Sequence, residues 1–148
     1  MFVWQWNCRA ADEMPVPYYD AYLIPIARSQ LEAYREFSKK IAMVYREHGA
    51  TSITDLILDE DDRGGESFHA EGARENLPET LRDFPIAAGA APTETVILSW
   101  TEWPDKAARD AGLSAALADP RVQPDPADGV IFEGRRLVSG AFEHLATW

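Results

Sequence analysis

The chain has 148 residues, 46% of them hydrophobic and 26% charged, and 25 Asp+Glu against 14 Lys+Arg give a formal net charge of -11. That length fits one domain, and the composition excludes a collagenous, disulfide-rich or disordered chain. The charge argues against a nucleic-acid or anionic-membrane partner, since phosphate attraction needs a basic face. Cys8 is the single cysteine, so no intrachain disulfide can form, and a free thiol fits a reducing, cytoplasmic location. No stretch approaches the roughly 18 apolar residues of a transmembrane helix, and Met1–Cys8 lacks the basic n-region of a secretion signal.

Residues 1–17 read as an N-terminal extension without stable periodicity, and Met14 is an alternative start. Tyr18 to Ile26 is the first predicted strand, with Pro25 at its end or at a sheet edge. A helix follows. Ser29 and Glu32 have capping-box spacing, and Leu31, Tyr34, Phe37, Ile41, Val44, Tyr45 and His48 recur at intervals of three and four. Gly49 stands where such a helix commonly stops. Thr51 to Leu58 is the second predicted strand.

An acidic stretch opens with Asp59–Asp62. Residues 50–83 hold ten acids and three bases, a net of -7, so most of the acidity sits here. A short helix over Ala73–Asp83 is expected, weakened by Pro78. Glu94 to Trp103 is the third strand. Pro104 stands at a plausible first helical position of an alanine-rich helix running to about Ala118, which Asp119-Pro120 ends. A proline-rich loop leads to a last strand, Arg136 to Leu145.

The order βαββαβ is the ferredoxin-like α+β plan, a four-stranded antiparallel sheet with two helices on one face. Two helices cover one face only, yet the first and third strands are apolar on both. Tyr19, Ala21 and Leu23 oppose Tyr22 and Ile24; Val96, Leu98 and Trp100 oppose Ile97 and Trp103. A sheet apolar on both sides needs a second cover. A second copy of the same sheet supplies it, which predicts a homodimer through the sheet face; a packed-down insertion would serve the same purpose.

Several segments in order resemble the YbaA-like family of bacterial proteins, a domain of unknown function in the dimeric α+β-barrel superfamily. They are Tyr19-Asp20-Ala21-Tyr22, Leu31-Glu32-Ala33-Tyr34-Arg35, Tyr45-Arg46-Glu47-His48-Gly49-Ala50, Asp83-Phe84-Pro85, Val96-Ile97-Leu98-Ser99-Trp100, Trp103-Pro104, Arg109-Asp110-Ala111, Asp119-Pro120-Arg121 and Phe132-Glu133-Gly134-Arg135-Arg136. The resemblance spans roughly residues 18–145 and implies a fold and a dimer, with no reaction attached. It departs from the family at Asp55, which is followed by Leu56 where the family usually has cysteine. Residues 60–82 also look longer than the corresponding loop, an acidic insertion in a domain covering 18–148. The superfamily includes cofactor-free monooxygenases, haem-degrading enzymes and lactone isomerases. The Asn, Trp and His set of the haem-degrading subgroup is not matched, since Asn7 and Asn76 lie outside the scaffold.

Asp20 and Asp55 share strand faces with aliphatic residues, so each must be ion-paired or work as a pocket carboxylate. Arg109, Arg135 and Arg136 are the available partners. His48, at a helix C-terminus, is a pocket acid or base, or a helix cap. These three are the catalytic candidates. Tyr22, Trp100 and Arg109 are the ligand-binding candidates, with a surface salt bridge as the other reading of Arg109. His48, His69 and His144 lack metal-ligand spacing, so no metal is expected. No nucleotide or phosphate-loop motif is present and no cofactor is expected. Two functions follow: binding or transformation of a small molecule between sheet and helices, or a non-catalytic stress, regulatory or protein-interaction module using the acidic loop.

Overall fold

The computed structural model describes residues 15–62 and 65–148. Expectations for Trp4, Trp6, Cys8 and a start at Met14 lie outside the described residues. Among the described residues, four strands form: β1 (Tyr18–Ala27), β2 (Ser52–Ile57), β3 (Glu94–Trp103) and β4 (Val138–Glu143). β-Branched and aromatic residues, which suit a pleated surface, supply much of β1 and β3. All neighbours pair antiparallel in the order β2-β3-β1-β4. The helices are α1 (Leu31–Glu47), α2 (Phe84–Ala88) and α3 (Lys106–Ala118). This is the βαββαβ arrangement that the sequence predicts, with α2 added before β3.

Strand alternation sorts the side chains. Asp20, Tyr22, Ile24 and Ile26 of β1 share a face with Ile97, Ser99, Thr101 and Trp103 of β3, because Tyr22 pairs with Ser99 and Ile24 with Ile97. α1 and α3 cover that face. Two apolar clusters result: Val44, Tyr45, Ala50, Trp103 and Ala116 at one end, and Ile24, Ile26, Tyr34 and Ile97 at the other. The opposite face carries Tyr19, Ala21, Leu23, Leu98, Trp100 and Phe142, where Phe142 is 55% exposed. α2 packs against β1 and β3, and its Phe84 shares a recess with Val96 and Leu98 on that second face. Pro25 is tolerated inside β1 because β4 pairing ends at Leu23, so that flank carries no ladder beside the proline.

Local details depart from expectation at the ends of elements. Ser29 does not open a capping box: Arg28–Gln30 form a 3₁₀ turn ahead of α1, and the N-cap residue is Gln30, whose side chain makes no capping hydrogen bond. Pro104 is not the first helical residue. The Asp105 carboxylate accepts from the Ala108 N–H at 2.7 Å and fixes the α3 start at Lys106. The helix expected over Ala73–Asp83 is instead a 3₁₀ segment, Glu71–Asn76, ending before Pro78. Asp83 caps α2, accepting from Ile86 at 2.9 Å. The last strand is shorter than expected, since Gly134–Arg136 form another 3₁₀ turn.

The tightest helix contact is at Gly112 of α3. A Cβ there would lie 2.4 Å from both the His48 carbonyl oxygen and the Trp103 ring. Gly112 therefore lets α3 close on the fully buried Trp103. Replacing Gly112 with Ala is expected to cost about 1–3 kcal/mol through overpacking, read as a lower urea midpoint at unchanged slope.

Candidate functional site

Asp20 lies on central strand β1 and is 3% exposed. A carboxylate so buried needs full pairing. Arg109 of α3 supplies it, with Nη2 2.7 Å and Nε 3.0 Å from Oδ1. The Trp103 indole N–H donates to Oδ2 at 3.0 Å. The Arg109 guanidinium also lies over the Tyr18 ring. Bonding to Asp20 raises the pKa of Arg109 above its ordinary value, so it stays charged. Of the two readings open for Asp20, the ion pair is the one formed, and Arg109 rather than Arg135 or Arg136 forms it.

His48 caps α1 and meets Asp119, 3.2 Å from Nε2 to Oδ2, at the end of α3. Asp119 also binds Arg121, whose guanidinium and backbone N–H lower the Asp119 pKa, with His48 adding to the effect. Arg121 reaches Glu47 at 2.6 Å. His48 thus joins a set of bonds tying the two helix ends together. His69 and His144 bond elsewhere, to Gly65 and Thr147.

Asp55 differs from both. It stands on edge strand β2, and its partners are hydroxyls: Tyr34 donates to Oδ1 at 2.9 Å and Ser38 to Oδ2. Both come from α1, so the carboxylate bridges strand and helix. Burial, then the charge of Asp55, raises the Tyr34 pKa well above the usual tyrosine range. Asp55 lines a groove of about 350 Å³ shared with Arg35 and Lys39.

Tyr34 and Ser38 also border a second space, a cavity of about 400 Å³ between the sheet and the helices. It exists because Ser99 and Thr101, buried on β3, are small where Ile97 and Trp103 on the same face are large. Tyr22, Tyr45 and Phe37 bring aromatic walls; Ile24, Ile41 and Leu113 bring aliphatic ones. No charged side chain lines it among the described residues. Burial first, and the Asp20 charge second, raises the Tyr22 pKa well above the ordinary range; Tyr45 shifts the same way for the same reasons.

The structure therefore separates the residues singled out in the sequence. Tyr22 lines the cavity. Arg109 holds Asp20 outside its lining, and Trp100 lies on the opposite sheet face because strand alternation sends it there. Asp20, His48 and Asp55 belong to three different bonding sets. Ser99, Thr101, Tyr34 and Tyr45 were the residues sequence reasoning missed as a site. Their signal was present: two small polar residues interrupt an apolar strand face at period two, opposite two tyrosines on the helix stripe. Among the described residues, no group of three or more His, Cys, Asp or Glu is placed to hold a metal, and no helix is long and apolar enough to cross a membrane.

Sheet order and helix placement define an α+β protein of the ferredoxin-like plan with a cavity under its helices. The chain belongs to the family described as "Protein of unknown function (DUF1428)", whose family model matches residues 17–134. It is similar to the Escherichia coli K12 protein called "Uncharacterized protein YbaA", 28% identical over 128 residues, 86% of this chain and 96% of that protein. The Shigella flexneri protein of the same name matches equally. These findings bear out the YbaA-like resemblance. A solved structure, that of SnoaB, a cofactor-independent oxygenase from Streptomyces nogalater, matches with a TM-score of 0.48 and 14% identity, covering 88% of this chain and 95% of that one.

Replacing Arg109 with Ala leaves the Asp20 carboxylate buried with one indole partner. The expected cost is about 3–5 kcal/mol, measured by urea denaturation. The double replacement Asp20→Leu with Arg109→Met is expected to recover part of that loss, because no unpaired charge is left behind.

Proposed function

We propose that this protein binds a small, largely apolar molecule in the cavity between the sheet and helices α1 and α3. The supporting observation is the cavity itself: about 400 Å³ with aromatic and aliphatic walls and a few hydroxyls. Small-molecule sites are built in this way, apolar over most of their surface with a few polar groups that orient the ligand. A filled interior would have favoured an interaction module acting through the acidic segment 60–82. Asp20 and His48 take structural roles in this reading, and Asp55 stands behind Tyr34 and Ser38 at the cavity side. It does not require a reaction.

The assembly that goes with it is a homodimer through the open sheet face. Tyr19, Leu23, Leu98, Trp100, Val138 and Phe142 lie there. In a chain of net charge -11, two copies repel unless they meet on an uncharged surface. On β3 the charged residues of this face are Glu94 and Glu102, one at each end. An apolar face with its charges at the rim suits a second copy of itself.

Two measurements test these readings. Protein purified without organic additives and extracted under denaturing conditions is expected to release an apolar compound detectable by mass spectrometry. Leu117→Trp, which fills the cavity from an exposed α3 position, is expected to abolish that compound while the thermal midpoint holds. Retention of the compound by the variant would count against the cavity. For the dimer, light scattering is expected to give twice the 16.5 kDa chain mass, and Phe142→Asp to halve it without loss of helix signal. A monomeric parent protein would overturn the dimer.

A further inference from the structure

We propose that Ser99, Tyr34 and Asp55 form a proton relay leading out of this cavity, which takes the proton of a ligand carrying a phenolic or enolic hydroxyl. The relay rests on the cavity reading and gives that site an activity. Register brings its two ends together. Asp55 of β2 pairs with Ser99 of β3, and Ser99 pairs with Tyr22 of β1. Directly paired residues of neighbouring strands share a face, with Cβ atoms about 5 Å apart. Tyr34 comes down on this row from α1. Its hydroxyl donates to Asp55 Oδ1 at 2.9 Å, and the Ser99 hydroxyl reaches the Tyr34 oxygen. The two ends stand in different surroundings. Ser99 is 6% exposed and lines the cavity. Asp55 is exposed and lines the outer groove. Tyr34 borders both spaces.

The carboxylate sets the direction of each bond in the row. It only accepts, so Tyr34 gives its proton to Asp55 and its own oxygen accepts. Ser99 therefore donates to Tyr34, which leaves the Ser99 oxygen as an acceptor on the cavity side. A ligand hydroxyl donates there. Transfer moves one proton along each bond. The ligand O–H breaks as a new Ser99 O–H forms, the former Ser99 proton passes to the Tyr34 oxygen, and the Tyr34 proton passes to Asp55 Oδ1. The electron pair of the broken bond stays on the ligand oxygen. Ser99 now donates to that oxyanion, giving the buried charge a partner. Asp55, the general base of the row, releases its proton to water in the groove, and rotation of the two hydroxyls restores the starting arrangement. Burial, then the Asp55 charge, opposes ionisation of Tyr34. Tyr34 thus takes one proton as it gives another. Ser38 donates to Asp55 Oδ2 and holds the carboxylate in place.

The test uses 2-naphthol, a neutral aromatic whose hydroxyl becomes strongly acidic on excitation, bound to an excess of the full-length protein. Light supplies the driving force, and naphtholate emission reports proton loss from the bound probe. The parent protein is expected to give mainly naphtholate emission. D55N keeps an oxygen for Tyr34 and takes up no proton, and Y34F breaks the row in its middle. S99A removes the cavity end while leaving both bonds to Asp55 in place, so its fold is expected to hold. Each variant is expected to lower the ratio of naphtholate to naphthol emission by about tenfold or more, with the probe still bound and the helix signal unchanged. Naphthol emission alone from the parent complex overturns the relay and leaves the cavity reading in place. So does naphtholate emission that survives in any of the three variants. If neither 2-naphthol nor 2-methoxynaphthalene, which has no hydroxyl proton, binds the parent protein, the cavity reading is overturned and the relay with it.

Discussion

Asp20 is a carboxylate inside an apolar sheet, and much of the structure is arranged to make that tolerable. Arg109 reaches it from α3 and Trp103 from the neighbouring strand, so one buried charge binds two elements to β1. Trp103 in turn packs against Tyr45 and Ala116, with Gly112 leaving room for its ring. A charge of this kind contributes little net stability compared with an apolar replacement, but it penalises any packing that leaves it unpaired. It holds α3 at one position over the sheet. The width of the space between α3 and α1 follows from that position.

Inside that space the large residues collect at the two ends. Ile97 and Ile24 close one end; Trp103 and Val44 close the other. Between them β3 presents Ser99 and Thr101, which fill less space than Ile97 and Trp103 on the same face. A row of leucines there would have given one continuous core. The cavity is thus a consequence of two side-chain volumes in the middle of a strand, with the ends around it packed normally. Asp55, on the edge strand, orients Tyr34 and Ser38 at its side. His48 and Asp119 lock the far ends of the helices together.

Much of this architecture was legible in the chain. The third strand was read at its observed bounds, Glu94–Trp103, and the first helix near its own, because both have strong apolar periodicity. The two-sided character of β1 and β3 was legible for the same reason. Boundaries failed where capping was contested: Asp105 displaced Pro104 as the start signal, and a 3₁₀ turn took up Ser29. The short α2 was hidden because five residues carry too little periodicity, although Asp83 and Gly89 flank it as cap and stop. For the site, Tyr22 was legible as a strand aromatic. Trp100 was an equal candidate until register sent it to the other face.

By itself the sequence determined which residues form strands and helices and which of them share a face, because these depend on backbone periods of two and 3.6 that act over a few residues. Only the tertiary structure decided the partners. Asp20 and Arg109 are 89 positions apart, and Arg135 and Arg136 were equally available in the chain. Tyr34 and Tyr45 lie on one apolar helix stripe, yet one gives its proton to Asp55 and the other packs against Trp103. Such differences arise from register and packing distance, which fix the atoms a side chain can reach and which no local pattern contains.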